Sequence, residues 1–263
     1  MTERSAVDDH FQLVVDQKAE EKLRRALGLL NGSGIGYIVE GGWAMAAVGS
    51  PTPSVDLDVM FRGPDYQRLY DHILKTTDLQ LDTHGGLEAL GIDWRHSDEP
   101  NRLFTKRDLF YVPDDFLRNR ITTGTINTVG GPLHVRVPAP AALAFMKMKA
   151  FHDRRMQWEA SRDPTRLARL AREDAATVRE RPAAYWERKA GKDLYDIAFL
   201  ARNSASAIKQ LLTDEPIDQA ILAALRDPPA PLVSFAIEMA KRSRERIPDP
   251  NTLHGSLKPD AKS

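Results

Sequence analysis

The sequence predicts an α/β domain followed by an all-helical one, and three observations predict it. Strand-like and helix-like segments alternate from Ile35 to about Lys75 and give way to a β-rich stretch from Leu79 to Val137. The composition turns at Pro138-Ala139-Pro140, and from there to Arg246 the chain reads as helices punctuated at Asp163-Pro164, Arg181-Pro182, Glu215-Pro216 and Pro228-Pro229. With 263 residues, 42% of them hydrophobic, the chain has material for one large or two modest cores. These readings divide it into a core domain over residues 1–137, a helical domain over 138–247, and a polar, proline-bearing tail over 248–263 that is expected to be mobile.

Each element follows from its pattern. Ala19 to Leu30 places Leu23, Ala26, Leu27 and Leu30 at helical spacing, and Asn31-Gly32 stops the helix. Ile35 to Val39 is a short apolar strand that runs straight into Glu40-Gly41-Gly42. A helix over about Trp43 to Val48 ends at Gly49-Ser50-Pro51, and a strand over Val55 to Phe61 follows. Pro64-Asp65 starts a helix to about Lys75 with Tyr66, Leu69, Tyr70 and Ile73 on one face. Further strands are expected over Leu87 to Trp94, Arg102 to Thr105, Thr122 to Val129 and His134 to Val137, the last two joined by a turn at Gly130-Gly131.

Composition excludes several chemistries. There is no cysteine, so disulfides, thiolate catalysis and cysteine-type metal sites are absent. The 37 basic residues balance 37 acidic ones, which removes any global argument for nucleic-acid binding and leaves only local patches. The first residues lack the apolar run of a signal peptide, and no stretch approaches the ~20 apolar residues of a membrane span, so a cytoplasmic protein with no membrane partner is expected. The histidines are scattered without metal-ligand spacing.

Chemistry concentrates between Gly41 and Phe61. Asp56 and Asp58 alternate with Val55, Leu57 and Val59, so a strand puts both acids on one face and the apolar residues on the other. Two carboxylates roughly 7 Å apart along a strand suit Mg²⁺, a hard cation that takes oxygen ligands. The plain alternative is a half-buried edge strand with two solvated acids. Gly41-Gly42 lets a backbone approach a phosphate closely, and the N-terminus of the helix that follows favours anions. Further acids follow among strand formers at Asp82, Glu88 and Asp93, the last within Leu90-Gly91-Ile92-Asp93-Trp94. In the helical half, Lys147, Ala150 and Arg154 share one helical line, and Lys192, Asp193 and Asp196 form a second motif; two amphipathic surface helices are the plain alternative.

Glu40-Gly41-Gly42, the spacer and Asp56-Leu57-Asp58-Val59 resemble the core signature of the polymerase-β-like nucleotidyltransferases. The resemblance implies a nucleotidyltransferase core with a small mixed sheet and flanking helices, Mg²⁺ on Asp56 and Asp58, an NTP co-substrate contacted by Gly41 and Gly42, and a third acid from a later strand that completes the metal site, for which Asp93 is the choice and Asp82 and Glu88 compete. The lysine helix and the Lys192-Asp193-x-x-Asp196 helix are similar to motifs of the AbiEii branch, the toxin halves of type IV toxin–antitoxin systems. This implies that Lys147 and Lys192 help to bind the triphosphate, that Asp193 and Asp196 organise the site, that the acceptor is RNA (such as tRNA) or a protein, and that an antitoxin protein is a partner. Ser54 fits the family's Ser/Thr place before the acids, whereas Thr52 stands where the family has arginine. Gly41-Gly42-Trp43-Ala44 also resembles the opening of aminoglycoside adenylyltransferases. The alternatives to a toxin-like enzyme are therefore adenylylation of a small molecule and a non-catalytic nucleotide-binding or antitoxin-like module.

Overall fold

A computed structural model of the chain describes residues 17–51, 56–62, 65, 68, 82–84, 87–93, 116–117, 119–163, 165, 182–215 and 219–258. It divides into two compact units, Met1–Ala139 and Pro140–Ser263. The first holds helices and two small sheets, and the described part of the second is helical.

The first unit opens with α1 (Gln17–Gly32), whose Leu23, Ala26, Leu27 and Leu30 are all buried, as their spacing requires. Next come β1 (Tyr37–Glu40), α2 (Gly41–Ala47), β2 (Asp56–Arg62), β3 (Asp82–His84) and β4 (Leu87–Asp93). These strands form a four-stranded sheet in the order β1-β2-β4-β3. β5 (Ile121–Ile126) and β6 (Leu133–Pro138) form a separate two-stranded sheet. Every described pairing is antiparallel, which corrects the expectation of one mixed sheet. Short connections such as the one between β5 and β6 can only return a strand antiparallel to its neighbour. The expected strand over Arg102 to Thr105 lies outside the described residues, as does most of the helix expected after Pro64.

The β5–β6 turn is wider than its two glycines imply, because the strand stops at Ile126. It is held from α1. The Val129 and Gly130 amides donate to the Glu20 carboxylate at 2.9 and 2.8 Å, and Arg24 donates to Thr128 Oγ1 at 2.6 Å and to the Gly131 carbonyl at 2.8 Å. Arg24 also pairs with Glu20 at 2.9 Å. These contacts hold the Glu20 carboxyl well down, at a pKa of about 2, with the Arg24 hydrogen bond the largest cause.

The second unit is built on two long helices, α3 (Pro140–Ser161) and α4 (Ala183–Asp214), which pack against each other. They are joined by α5 (Gln219–Ala223), α6 (Ala230–Ser243), a 3₁₀ turn over Pro250–Thr252 and α7 (Leu253–Leu257). Every residue from Ala190 to Ala201 on α4 is buried, so this helix is wrapped on all sides rather than lying on a surface. Gly191 is what lets α6 approach: a Cβ there would stand 2.8 Å from Phe235 Cβ. The stretch expected as a mobile tail is structured as far as Lys258, with Leu253 and Leu257 fully buried. Among the described residues, no helix is long and apolar enough to cross a membrane.

Candidate functional site

Two groups of residues carry the chemistry, one in each unit. In the first unit, β2 lies between β1 and β4 and is an interior strand, which removes the edge-strand alternative for its acids. Asp58 is 2% exposed, and Leu57 and Val59 are at most 1% exposed, so both faces of β2 are covered here. Glu40 is opposite Asp58 in the β1–β2 ladder, and Asp93 is opposite Asp56 in the β2–β4 ladder. Positions opposite each other in a ladder share a face, and so do positions two apart on one strand. The register thus gathers Asp56, Asp58, Asp93 and Glu40 on one face of the sheet. Asp93, the chosen third acid, is the one in register with Asp56, whereas its competitors Asp82 and Glu88 are opposite Ala89 and Phe61.

Gly41 fixes the edge of this site. It enters α2 with φ +63°, a left-handed conformation that costs a residue with a Cβ. A Cβ on Gly41 would also fall 2.2 Å from Asp58 Oδ2. The Asp58 carboxylate therefore occupies the space that the missing side chain leaves. Gly42 is buried in the first turn of α2 with Trp43, Ala44 and Met45. Glu40 is itself buried at the N-cap of α2. Strand register is what gives it a position beside Asp58.

The side chains of Asp56 and Asp93, and all of Thr52, Ser54 and Trp94, lie outside the described parts. Among the described residues no group of three His, Asp or Glu side chains is gathered as for a metal. The donors that the register brings to one face are carboxylates, the oxygen ligands that Mg²⁺ takes.

The second group lies between α3 and α4. Lys147 Nζ is 2.7 Å from Asp196 Oδ2 and 3.5 Å from Asp193 Oδ1, and Arg154 Nη1 is 2.5 Å from Asp193 Oδ2. Lys192 Nζ donates to Asp196 Oδ2 at 3.0 Å. Moving along α3 from Lys147 to Arg154 moves back along α4 from Asp196 to Asp193, so the two helices run antiparallel at the cluster. Both acids are fully buried, and the side chains of Lys147 and Lys192 are 10% and 11% exposed. Two surface helices are thereby excluded. Among these contacts three cations meet two carboxylates. Asp196 Oδ1 has no hydrogen-bond partner among the described residues.

The two lysines are not equivalent. Burial disfavours the Lys147 ammonium, but Asp196 and Asp193 outweigh it and push its pKa above the ordinary lysine value. Burial also dominates at Lys192, where Lys147 adds repulsion, and the pKa falls below the ordinary value. Burial opposes the charge of Asp196 as well, yet Lys147 and Lys192 together hold its carboxyl below the usual range. Asp153, which the sequence reading passed over, sits on α3 beside Arg154 with its carboxyl raised by burial. Only burial, invisible in the sequence, distinguishes it from other surface acids.

Compared with protein-family models, curated proteins and solved structures, the chain matches none.

Proposed function

We propose that the protein is a Mg²⁺-dependent nucleotidyltransferase that moves a nucleoside monophosphate from an NTP to an acceptor hydroxyl. The observation that carries this reading is the interior strand β2, with Asp58 buried against the Cβ-less Gly41 and Asp93 in register with Asp56. Asp56, Asp58 and Asp93 would hold the metal, which when bound neutralises triphosphate oxygens and lowers the pKa of the acceptor hydroxyl. A carboxylate of this set takes the proton as the hydroxyl oxygen bonds to the α-phosphorus. The bond from that phosphorus to pyrophosphate breaks. Gly41 and Gly42 offer backbone without a side chain to the phosphates, and most of the catalysis is positioning and electrostatics. The toxin-like motifs favour RNA such as tRNA, or a protein, as acceptor.

The test is incubation with each labelled NTP, Mg²⁺ and total RNA, with a protein-labelling arm and an aminoglycoside arm. Labelled RNA or protein from the wild type but not from Asp56→Ala supports the reading. Label on the aminoglycoside alone moves the acceptor to a small molecule. No product or pyrophosphate from any NTP overturns the proposal and leaves the non-catalytic module.

A further inference from the structure

The helical unit also contains a pocket with a basic lining. A pocket of about 550 Å³ opens where α5 meets α7, lined by Gln219, Leu222, Arg226, His254 and Lys258 among others. Three of these are cationic or can become so, and no acidic side chain lines the pocket. None of the three has an ion-pair partner among the described residues. Several other cations of the unit, Lys147, Arg154, Arg155, Lys192, Arg202 and Arg242, are paired with acids, whereas here three basic groups converge on one pocket without one. Leaving three basic groups together has an electrostatic cost that an anion relieves. His254 registers that cost: burial, then Arg226 and Lys258, holds its pKa below the ordinary histidine value.

The size and the walls narrow the ligand. The volume lies in the range of small-molecule sites and exceeds what a bare inorganic ion fills. Leu222 is buried and, with Ala220 and Ala223, makes an apolar side, while the Gln219 amide can donate and accept. We propose that this pocket binds a small phosphate monoester, its phosphate taken by Arg226, Lys258 and His254 and its organic body resting on Leu222, Ala220 and Ala223. Arginine and lysine give the strong charge-assisted hydrogen bonds that a phosphate dianion needs. Histidine gains its proton as the anion arrives. The site shares no residue with the carboxylate face or the Lys147 cluster, so it stands or falls independently of the transferase reading.

The experiment is NMR of the His254 imidazole in the full chain, assigned by its loss in His254→Gln. The probes are phenyl phosphate, inorganic phosphate and phenol. The expected result is a saturable His254 shift and a raised pKa with phenyl phosphate, weaker with inorganic phosphate and absent with phenol. Arg226→Ala and Lys258→Ala, both at exposed positions, are each expected to weaken phenyl phosphate binding by about tenfold. A response to phenol equal to that with phenyl phosphate overturns the proposal. So does the absence of any saturable shift at millimolar phenyl phosphate in the wild-type chain, whose folding is not in question. Because the readout is binding at His254, a transferase screen that fails leaves this result unaffected, and the converse also holds.

Discussion

Asp58 in the sheet and Asp196 in the helical unit are both buried carboxylates, but the fold accommodates them by different means. Asp58 is placed by backbone: an interior strand, a left-handed Gly41 and the space that glycine leaves. Asp196 is placed by charge, between two lysines on two helices. One acid occupies the space that a missing side chain leaves, and the other lies between two cationic side chains. Substitutions should therefore damage the two regions in different ways.

The largest effect should come from Asp196→Ala, which leaves two buried lysines sharing one remaining acid, and about 3–5 kcal/mol of stability should be lost in urea unfolding. The lysines then split. Lys147→Met removes a cation whose charge folding favours and should cost ~2–4 kcal/mol, whereas Lys192→Met removes one whose charge folding disfavours and should stay within ~1 kcal/mol of wild type. Equal losses for the two lysines would show that the cluster is not divided in this way. Gly41→Ala should cost ~2–4 kcal/mol, from the left-handed backbone and the clash with Asp58, and should abolish NTP transfer if that activity is present. Full stability in that variant would mean that Asp58 sits elsewhere.

The pH dependence sharpens the contrast next. The Asp196 carboxyl is depressed, so its contribution is fully present above its ordinary value of 3.8 and is lost as pH falls through the lower folded value. Lys147 is raised, so its contribution is complete below 10.5 and is lost as pH climbs through the folded value. Lys192 is depressed, so its buried charge is a cost that is relieved as pH rises from its folded value towards 10.5. Urea midpoints against pH should accordingly show the gap between wild type and Lys192→Met changing on the alkaline side, where Lys192 titrates, and again on the acid side, where Asp196 has lost one of the two lysines that hold it down. The smallest effect belongs to the hairpin clamp. Glu20→Gln should speed amide exchange at Val129 and Gly130, and in the wild type the clamp should persist below pH 4.5 and release as pH falls through about 2.

Local pattern was enough for much of this. The α1 stripe of Leu23, Ala26, Leu27 and Leu30, the strand carrying Asp56 and Asp58, and the stop at Gly49 were all readable, because each is decided by spacing within a few residues. Three features were not. Strand order was unreadable because register is a long-range property, and so the antiparallel sheet and the place of Glu40 beside Asp58 emerged only from the fold. The burial of α4 on all sides was hidden because its Lys192, Asp193 and Asp196 look like a solvated face until their partners on α3 are seen. The ordered end at Leu253 and Leu257 was masked by prolines and polar residues, since two leucines are too few to signal a helix from sequence alone. Spacing put Lys147 with Arg154 and Lys192 with Asp193 and Asp196, a family resemblance singled the two motifs out, and the inequality between the two lysines needed geometry.

The Lys147–Asp196–Lys192 arrangement also has a consequence for how this sequence can vary over time. Asp196 serves two lysines, while Asp193 serves Lys147 and Arg154, so no member is independent of the others. A change at any one of them alters what the rest require, which is epistasis in its physical form. The cluster should therefore be inherited as a block: substitutions at 147 and 196 should appear together or not at all, and a double-mutant cycle between them should show strong coupling.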